Sequence, residues 1–299
     1  MPSQIDAKMD AAGDFGVRQT GLQIVRTVKA LRKSTASWRT AGETIALVPT
    51  MGALHDGHLA LVKLAAKSAD RVVVSIFVNP AQFSPSEDLS RYPRDEAGDV
   101  AKLKAGGVSL VWAPDAAEMY PDGSATSVVP AGAALGLEGD VRPHHFGGVA
   151  TVCLKLFNQV QPDAAIFGEK DFQQLAVIRQ LVRDVNLNLK IMPLKTVREK
   201  DGLALSSRNR YLSDSERRIA PAIFEIISVV ASKARQVSSQ KLIKDAEAAL
   251  LKRGFGSVDY VAIRDAETLG PFEAKSDRPG RVLVAAKLGT TRLIDNVAC

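Results

Sequence analysis

The chain has 299 residues, 46% hydrophobic and 24% charged, which suits a soluble globular protein of about two domains. A net charge of +6 favours anionic ligands, but the cations form no long run, and 5% aromatic residues are few for a protein that stacks single-stranded bases. Two isolated cysteines, Cys153 and Cys299, no apolar leader in Met1–Gly16 and no membrane-length apolar stretch exclude a disulfide scaffold and a membrane span, and read as a cytoplasmic protein.

Residues 1–20 are polar and aperiodic, and read as a disordered extension. Apolar spacing over Gly21–Arg32 predicts a helix. Ile45–Val48 reads as a buried strand stopped by Pro49 and Thr50, and Leu59–Ala66 has helical spacing. Between them lie Met51, Gly52, Ala53, Leu54, His55, Asp56, Gly57 and His58. Such a strand-to-helix turn sits at a strand's carboxyl end, where helix-start N–H groups and imidazoles favour phosphate, and Gly57 permits close backbone approach.

Arg71–Val78 is a β-branched run typical of a parallel strand, ending in Asn79, Pro80, Ala81, Gln82 and Phe83. A helix over Asp95–Ala105 and a strand over Val108–Trp112 follow. Pro121–Pro143 reads as loop, closing on Arg142, Pro143, His144 and His145. Val149–Val160 reads as helix, Ala164–Phe167 as strand, Phe172–Val185 as helix capped by Asp171, and Leu189–Met192 as strand. Repeated strand–loop–helix units predict an α/β, Rossmann-like parallel-sheet domain over 21–194. Beyond a polar connection, Val197–Arg210, helices over Asp214–Val237 and Ser239–Arg253 and strands over Val258–Arg264, Arg281–Ala286 and Thr291–Ile294 predict a smaller α+β domain over 195–299.

Four motifs occur in order: the Val48–His58 turn; Phe77–Phe83; Gly168, Glu169, Lys170, Asp171, Phe172, Gln173 and Gln174; and Leu205, Ser206, Ser207, Arg208 and Asn209. Together they resemble the pantoate–β-alanine ligase (pantothenate synthetase) family of the nucleotidyltransferase superfamily, from about Gly21 to Asn296. The resemblance implies a ligase of pantothenate biosynthesis, a coenzyme A precursor pathway. It implies ATP-dependent condensation of (R)-pantoate with β-alanine through a pantoyl adenylate, releasing pyrophosphate and then AMP.

By that resemblance, His58 is the proton donor, and His55 and Lys170 meet phosphate oxygens. Met51, Gly52, Gly57, Gly168, Glu169, Asp171, Val197 and Leu205 complete the ATP site, with Ser206, Ser207 and Arg208 as a short mobile phosphate loop. Gln82 and Gln174, with Asn79, His145 and Arg142, take pantoate and β-alanine. Magnesium is implied with the ATP phosphates, its protein ligands unknown and Asp99 a weak candidate. A homodimer is implied, with residues 195–299 as a lid. Plainer readings remain beside these: Lys170 as a solvated lysine, Asp171 as a helix cap, Gln173 as a surface glutamine and His144 as a solvated neighbour. Gly147 stands where the family pattern has a larger residue. Of two rivals, a different nucleotidyltransferase leaves the Asn-Pro-Ala-Gln and Gln-Gln motifs unexplained, and a nucleotide-sensing or RNA-binding module finds no basic-aromatic interleaving to support it; the reading takes no nucleic-acid or membrane partner.

Overall fold

The structure, a computed structural model, describes residues 22–83, 89 and 92–299. The expected N-terminal extension lies outside them. The chain forms two compact units, one from residues up to Pro130 with His144–Gly168 and Ile178–Leu194, the other from Ala131–Pro143, Glu169–Val177 and Lys195–Cys299.

The first unit holds six parallel strands: β1 (Gln23–Val25), β2 (Ile45–Thr50), β3 (Arg71–Ile76), β4 (Leu110–Trp112), β5 (Ala164–Gly168) and β6 (Lys190–Leu194), in the order β1-β4-β3-β2-β5-β6. Every neighbouring pair is parallel, as the β-branched runs predict. The chain reverses direction across the sheet at β2 and β5, so their carboxyl ends flank the crevice where such sheets bind ligands. Ile45–Val48 is fully buried, which explains its unbroken apolar character. Val48, Leu54, Val62, Val74, Leu103 and Ile166 share the core beneath that end.

The start of the chain departs from expectation. Gln23–Val25 is an edge strand against β4, and the helix is α1 (Val28–Thr40), with Thr27 accepting from Ala30 N at its N-cap. Alternating Gln23, Ile24 and Val25 pair better than they coil once β4 offers an open ladder. Helix α2 runs over Asp56–Ser68, so the histidines lie at its cap and in its first turn rather than before it. Next come α3 (Glu96–Ala105), α4 (Ala116–Met119) and, within the expected loop of the second unit, α5 (Glu138–Val141). Helix α6 covers His145–Val160, four residues earlier than predicted, because Gly147 and Gly148 continue the helix instead of breaking it.

Helix α7 (Phe172–Asp184) follows a 3-10 turn over Glu169–Asp171. In the second unit, the single helix expected over Asp214–Val237 is two, α8 (Asp214–Ile219) and α9 (Ala222–Lys233). Pro221 interrupts it, lacking an N–H and clashing with the preceding turn. They precede α10 (Ser239–Lys252) and an antiparallel sheet of β7 (Ser257–Asp265), β8 (Gly280–Leu288) and β9 (Thr291–Ala298). Ile223, Ile227, Leu250, Phe255, Val282 and Val284 form this unit's own core. The expected α/β domain and smaller α+β domain are both present, but residues 131–143 and 169–177 belong with the second.

Candidate active site

At the end of β2, the chain turns through Gly52 (φ +82°) and Ala53 (φ +52°) into the α2 cap. The Thr50 hydroxyl donates to Ser75 O at 2.7 Å and accepts from Gly52 N at 3.2 Å, tying the turn to β3. His55 Nδ1 accepts from Gly57 N at 3.2 Å, while His58 Nδ1 accepts from His55 N at 3.3 Å. This reciprocal capping fixes both rings, whose centroids lie 4.1 Å apart. A ring nitrogen that accepts carries no proton, so each neutral imidazole bears its proton on Nε2. Gly57 N–H is thus engaged by a side chain, which leaves the helix dipole and the imidazoles, more than that amide, available to an anion.

Asp99, the weak magnesium candidate, has both carboxylate oxygens engaged by backbone, accepting from Ala53 N and Leu54 N at 2.7 Å each. Among the described residues no group of three His, Cys, Asp or Glu side chains could hold a metal ion.

The β3 loop meets the same turn. Asn79, buried, accepts from Ala81 N at 3.3 Å and from the Tyr120 hydroxyl at 2.8 Å, and donates to Gln82 Oε1 and to Gly148 O, each at 3.1 Å. Gln82 Nε2 lies 3.1 Å from Met51 Sδ, and His145 Nδ1 donates to Gln82 O at 3.1 Å. His145 therefore holds the opposite tautomer, with Nε2 as its acceptor when neutral. Burial, then the Cys153 thiol, push the Tyr120 phenol up to about 12. Met51, Asn79, Gln82 and His145 thus form one connected cluster. His144 is exposed, as its plainer reading holds. Gly147 lies within α6, with room for a side chain.

Gly168 ends β5. In the second unit, Glu169 pairs with Arg281 at 3.0 Å, and Asn296 Nδ2 donates to Glu169 O at 2.9 Å and Lys170 O at 2.8 Å. Arg281 also donates to Asn296 Oδ1 at 2.6 Å and stacks 4.2 Å from the Phe172 ring. Lys170 Nζ lies 3.8 Å from Asp171 Oδ1, and the lysine is far less exposed than a solvated one would be.

Arg198 pairs with Asp295 at 2.6 and 2.9 Å and donates to Asn296 O at 3.3 Å. Leu205 N donates to Val197 O at 2.9 Å, closing a turn through Gly202. Ser206 Oγ accepts from Arg208 N at 3.3 Å, capping a 3-10 turn over Ser207–Tyr211. Strand β9 touches both this turn and Glu169–Asp171; Asn296 holds the Lys170 backbone, and Asp295 holds Arg198 in the connection that leads to Ser206.

Gln173, expected as a surface glutamine, is buried. It accepts from Glu138 N at 3.0 Å and donates to Ala133 O at 3.1 Å and Gly136 O at 3.0 Å. Gln174 is half-buried. Arg142 is engaged by Glu138 at 3.1 Å, and Glu138 by Arg292 at 2.8 Å. Burial pushes the Glu138 carboxyl up, but Arg292 and then Arg142 outweigh it and hold it below its usual range.

The sequence model of the pantoate-beta-alanine ligase family matches residues 23–298. The chain belongs to the pantoate-beta-alanine ligase family. Pantothenate synthetases of a Bradyrhizobium species and of Paramagnetospirillum magneticum are 54% and 53% identical to it, over 92% and 93% of this chain and 98% of each relative. The crystal structure of pantothenate synthetase from Thermus thermophilus is similar at 46% identity and a TM-score of 0.84, covering 92% of this chain and 98% of that one. Pantoate-beta-alanine ligase from Francisella tularensis, complexed with Beta-gamma ATP and Beta-alanine, is 34% identical with a TM-score of 0.79, covering 92% and 97%.

Within this ligase, sequence reasoning missed Tyr120, Arg281 and Lys102, whose ammonium donates to Leu54 O at 2.8 Å, and gave Asp295 and Asn296 no role. All five act on residues far along the chain. The one available signal was a polar side chain inside an apolar run, as in the Leu293-Ile294-Asp295-Asn296 stretch.

Proposed function

We propose that this ligase condenses (R)-pantoate with β-alanine at the expense of ATP, in two steps. The pantoate carboxylate attacks the α-phosphorus, the bond to the β-phosphate breaks and pyrophosphate leaves. The β-alanine amine then attacks the anhydride carbonyl, loses a proton and expels AMP. The observation that carries this is the reciprocally capped pair His55 and His58 at the end of β2, with Nε2 the protonated nitrogen of each neutral ring. In this reading, Nε2–H groups and the α2 dipole are set in advance to stabilise charge growing on the phosphates, with His58 as proton donor.

Lys170 serves as a point charge on phosphate oxygens. Met51, Gly52, Gly57, Gly168, Glu169, Asp171, Val197 and Leu205 serve nucleotide binding. Glu169 contributes backbone, since its carboxylate is held by Arg281. Ser206, Ser207 and Arg208 serve the triphosphate. Gln82, Gln174, Asn79 and His145 serve pantoate and β-alanine, neutral amides donating to and accepting from a hydroxy acid. Arg142, paired with Glu138, serves that site by shaping its segment. Magnesium enters with the triphosphate. Phosphate oxygens and water would supply most of its ligands, as magnesium prefers, and the described residues hold no three-ligand set for it. We also propose a homodimer in the cytoplasm; no helix among the described residues is long and apolar enough to cross a membrane.

Labelled pyrophosphate tests the order of steps. It should enter ATP when pantoate is present and β-alanine absent. Exchange without pantoate, or only after β-alanine is added, would overturn the assignment.

A further inference from the structure

We infer that Asp99 and Lys102, one turn apart on α3, form a clamp that orients the histidine turn, and are positioning residues for adenylate formation. The inference rests on the assignment of His55 and His58 to the phosphate site.

Gly52 and Ala53 both lie in the left-handed region, at φ +82° and +52°. An alanine adopts that conformation only where its surroundings over-determine it. Asp99 supplies the constraint. It is 1% exposed, and its two oxygens accept from Ala53 N and Leu54 N at 2.7 Å each. A carboxylate alone among side chains of this size offers two acceptors and no donor. The approach is close: a Cβ on Gly52 would stand 3.1 Å from Asp99 Oδ2.

Lys102 completes the grip. Its ammonium donates to Leu54 O at 2.8 Å and lies 4.0 Å from Asp99 Oδ1. Both polar backbone groups of Leu54 are therefore held by α3. The Leu54 carbonyl belongs to the same peptide as His55 N–H, and a peptide is planar. Fixing the carbonyl fixes the direction of that N–H, which His58 Nδ1 accepts at 3.3 Å. The orientation of the His58 ring is thus set, through one peptide plane, by a lysine 44 positions later in the chain.

A buried acid satisfied by amides could serve stability alone, and an acid near a triphosphate could bind its metal, so the test must separate three roles. Asp99→Asn keeps the size but replaces one acceptor with a donor. Lys102→Met keeps the stem and loses the ammonium. The readouts are the maximal rate of pantoate-dependent pyrophosphate exchange, the pantoate KM, the melting temperature, a magnesium titration and the histidine ring resonances by NMR. The clamp predicts that the maximal rate falls ~10²-fold in Asp99→Asn and ~10-fold in Lys102→Met, since small misplacements of reacting groups cost rate on this scale. It also predicts an unchanged pantoate KM in both, an unchanged melting temperature in Lys102→Met, shifted His55 and His58 resonances, and no recovery in excess magnesium.

Wild-type exchange rates in both variants would overturn the clamp. Recovery in excess magnesium would make Asp99 a metal ligand instead. Unshifted ring resonances in Lys102→Met would remove the orienting role, and Lys102→Met alone decides if Asp99→Asn does not fold. Absence of pantoate-dependent exchange in the wild type would sink the functional reading, while the resonances would still decide the clamp.

Discussion

Two adjacent glycines in α6 offer a paired test of how the β3 loop is held. A Cβ built on Gly148 would stand 2.2 Å from Ala81 O and 2.6 Å from Gln82 N, both backbone atoms that cannot swing aside. Reaching an ordinary contact of 3.4 Å requires the helix and the Pro80–Gln82 turn to part by about 1.2 Å. That shift breaks or lengthens the Asn79 bond to Gly148 O and the His145 bond to Gln82 O, both now 3.1 Å. Overpacking of this kind costs ~1–3 kcal/mol in stability, and a displacement near 1 Å costs ~10²-fold in rate. Gly148→Ala should therefore raise the pantoate KM by ~10- to 10²-fold, with a smaller change in the ATP requirement. Gly147→Ala is the internal control. Its Cβ would meet only Val128 O at 3.5 Å, so activity should hold, and removing a helical glycine should add ~0.5–1 kcal/mol by urea unfolding. Initial rates with pantoate and ATP varied in turn measure the first effect. A wild-type pantoate KM in Gly148→Ala would refute the claim that this contact positions Gln82.

His58→Ala should lower pyrophosphate exchange by ~10²- to 10⁴-fold, and near-normal exchange in the folded variant would remove its proton-transfer role. The Tyr120 phenol is pushed up to about 12 in the fold, above its unfolded value of ~10, so its stabilising contribution is present below pH ~10 and is lost as pH rises to about 12. Alkaline melting curves should accordingly be shallower in Tyr120→Phe than in the wild type, and equal slopes would refute the burial argument.

The sheet was legible because its signal is local. Ile45–Val48 and Val72–Val74 are buried, unbroken apolar runs, and each strand leads into a loop proposed for the site. The histidine turn and the Asn79–Gln82 loop were legible for the same reason. Gln23–Val25 was not: three residues become a strand only when β4 presents an edge, and β4 lies 85 or more positions away. Gln173 and Gln174 look alike in sequence, yet one is buried among backbone groups of residues 133–138 and the other half-exposed. Nothing within the helix distinguishes them. Asp99 likewise reads as one acid among several until its oxygens are seen on Ala53 and Leu54. Groups that do chemistry lie in motifs, whereas groups that hold them lie wherever the fold brings a partner.

The chain passes between its two units at 130/131, 143/144, 168/169, 177/178 and 194/195. Residues 195–299 are therefore not a cassette that can be cut out or inherited alone, for Arg292 would lose Glu138, and Arg281 and Asn296 would lose Glu169. The same threading sets a timetable on the ribosome. Glu138, Glu169 and Lys170 emerge early, but the strand that secures them, Thr291–Ala298, begins 121 positions after Lys170. Non-local pairings of this kind form late. The segments that carry Lys170 thus wait for that strand, and a nascent chain short of Asn296 would lack the bonds that fix the Glu169 and Lys170 backbone.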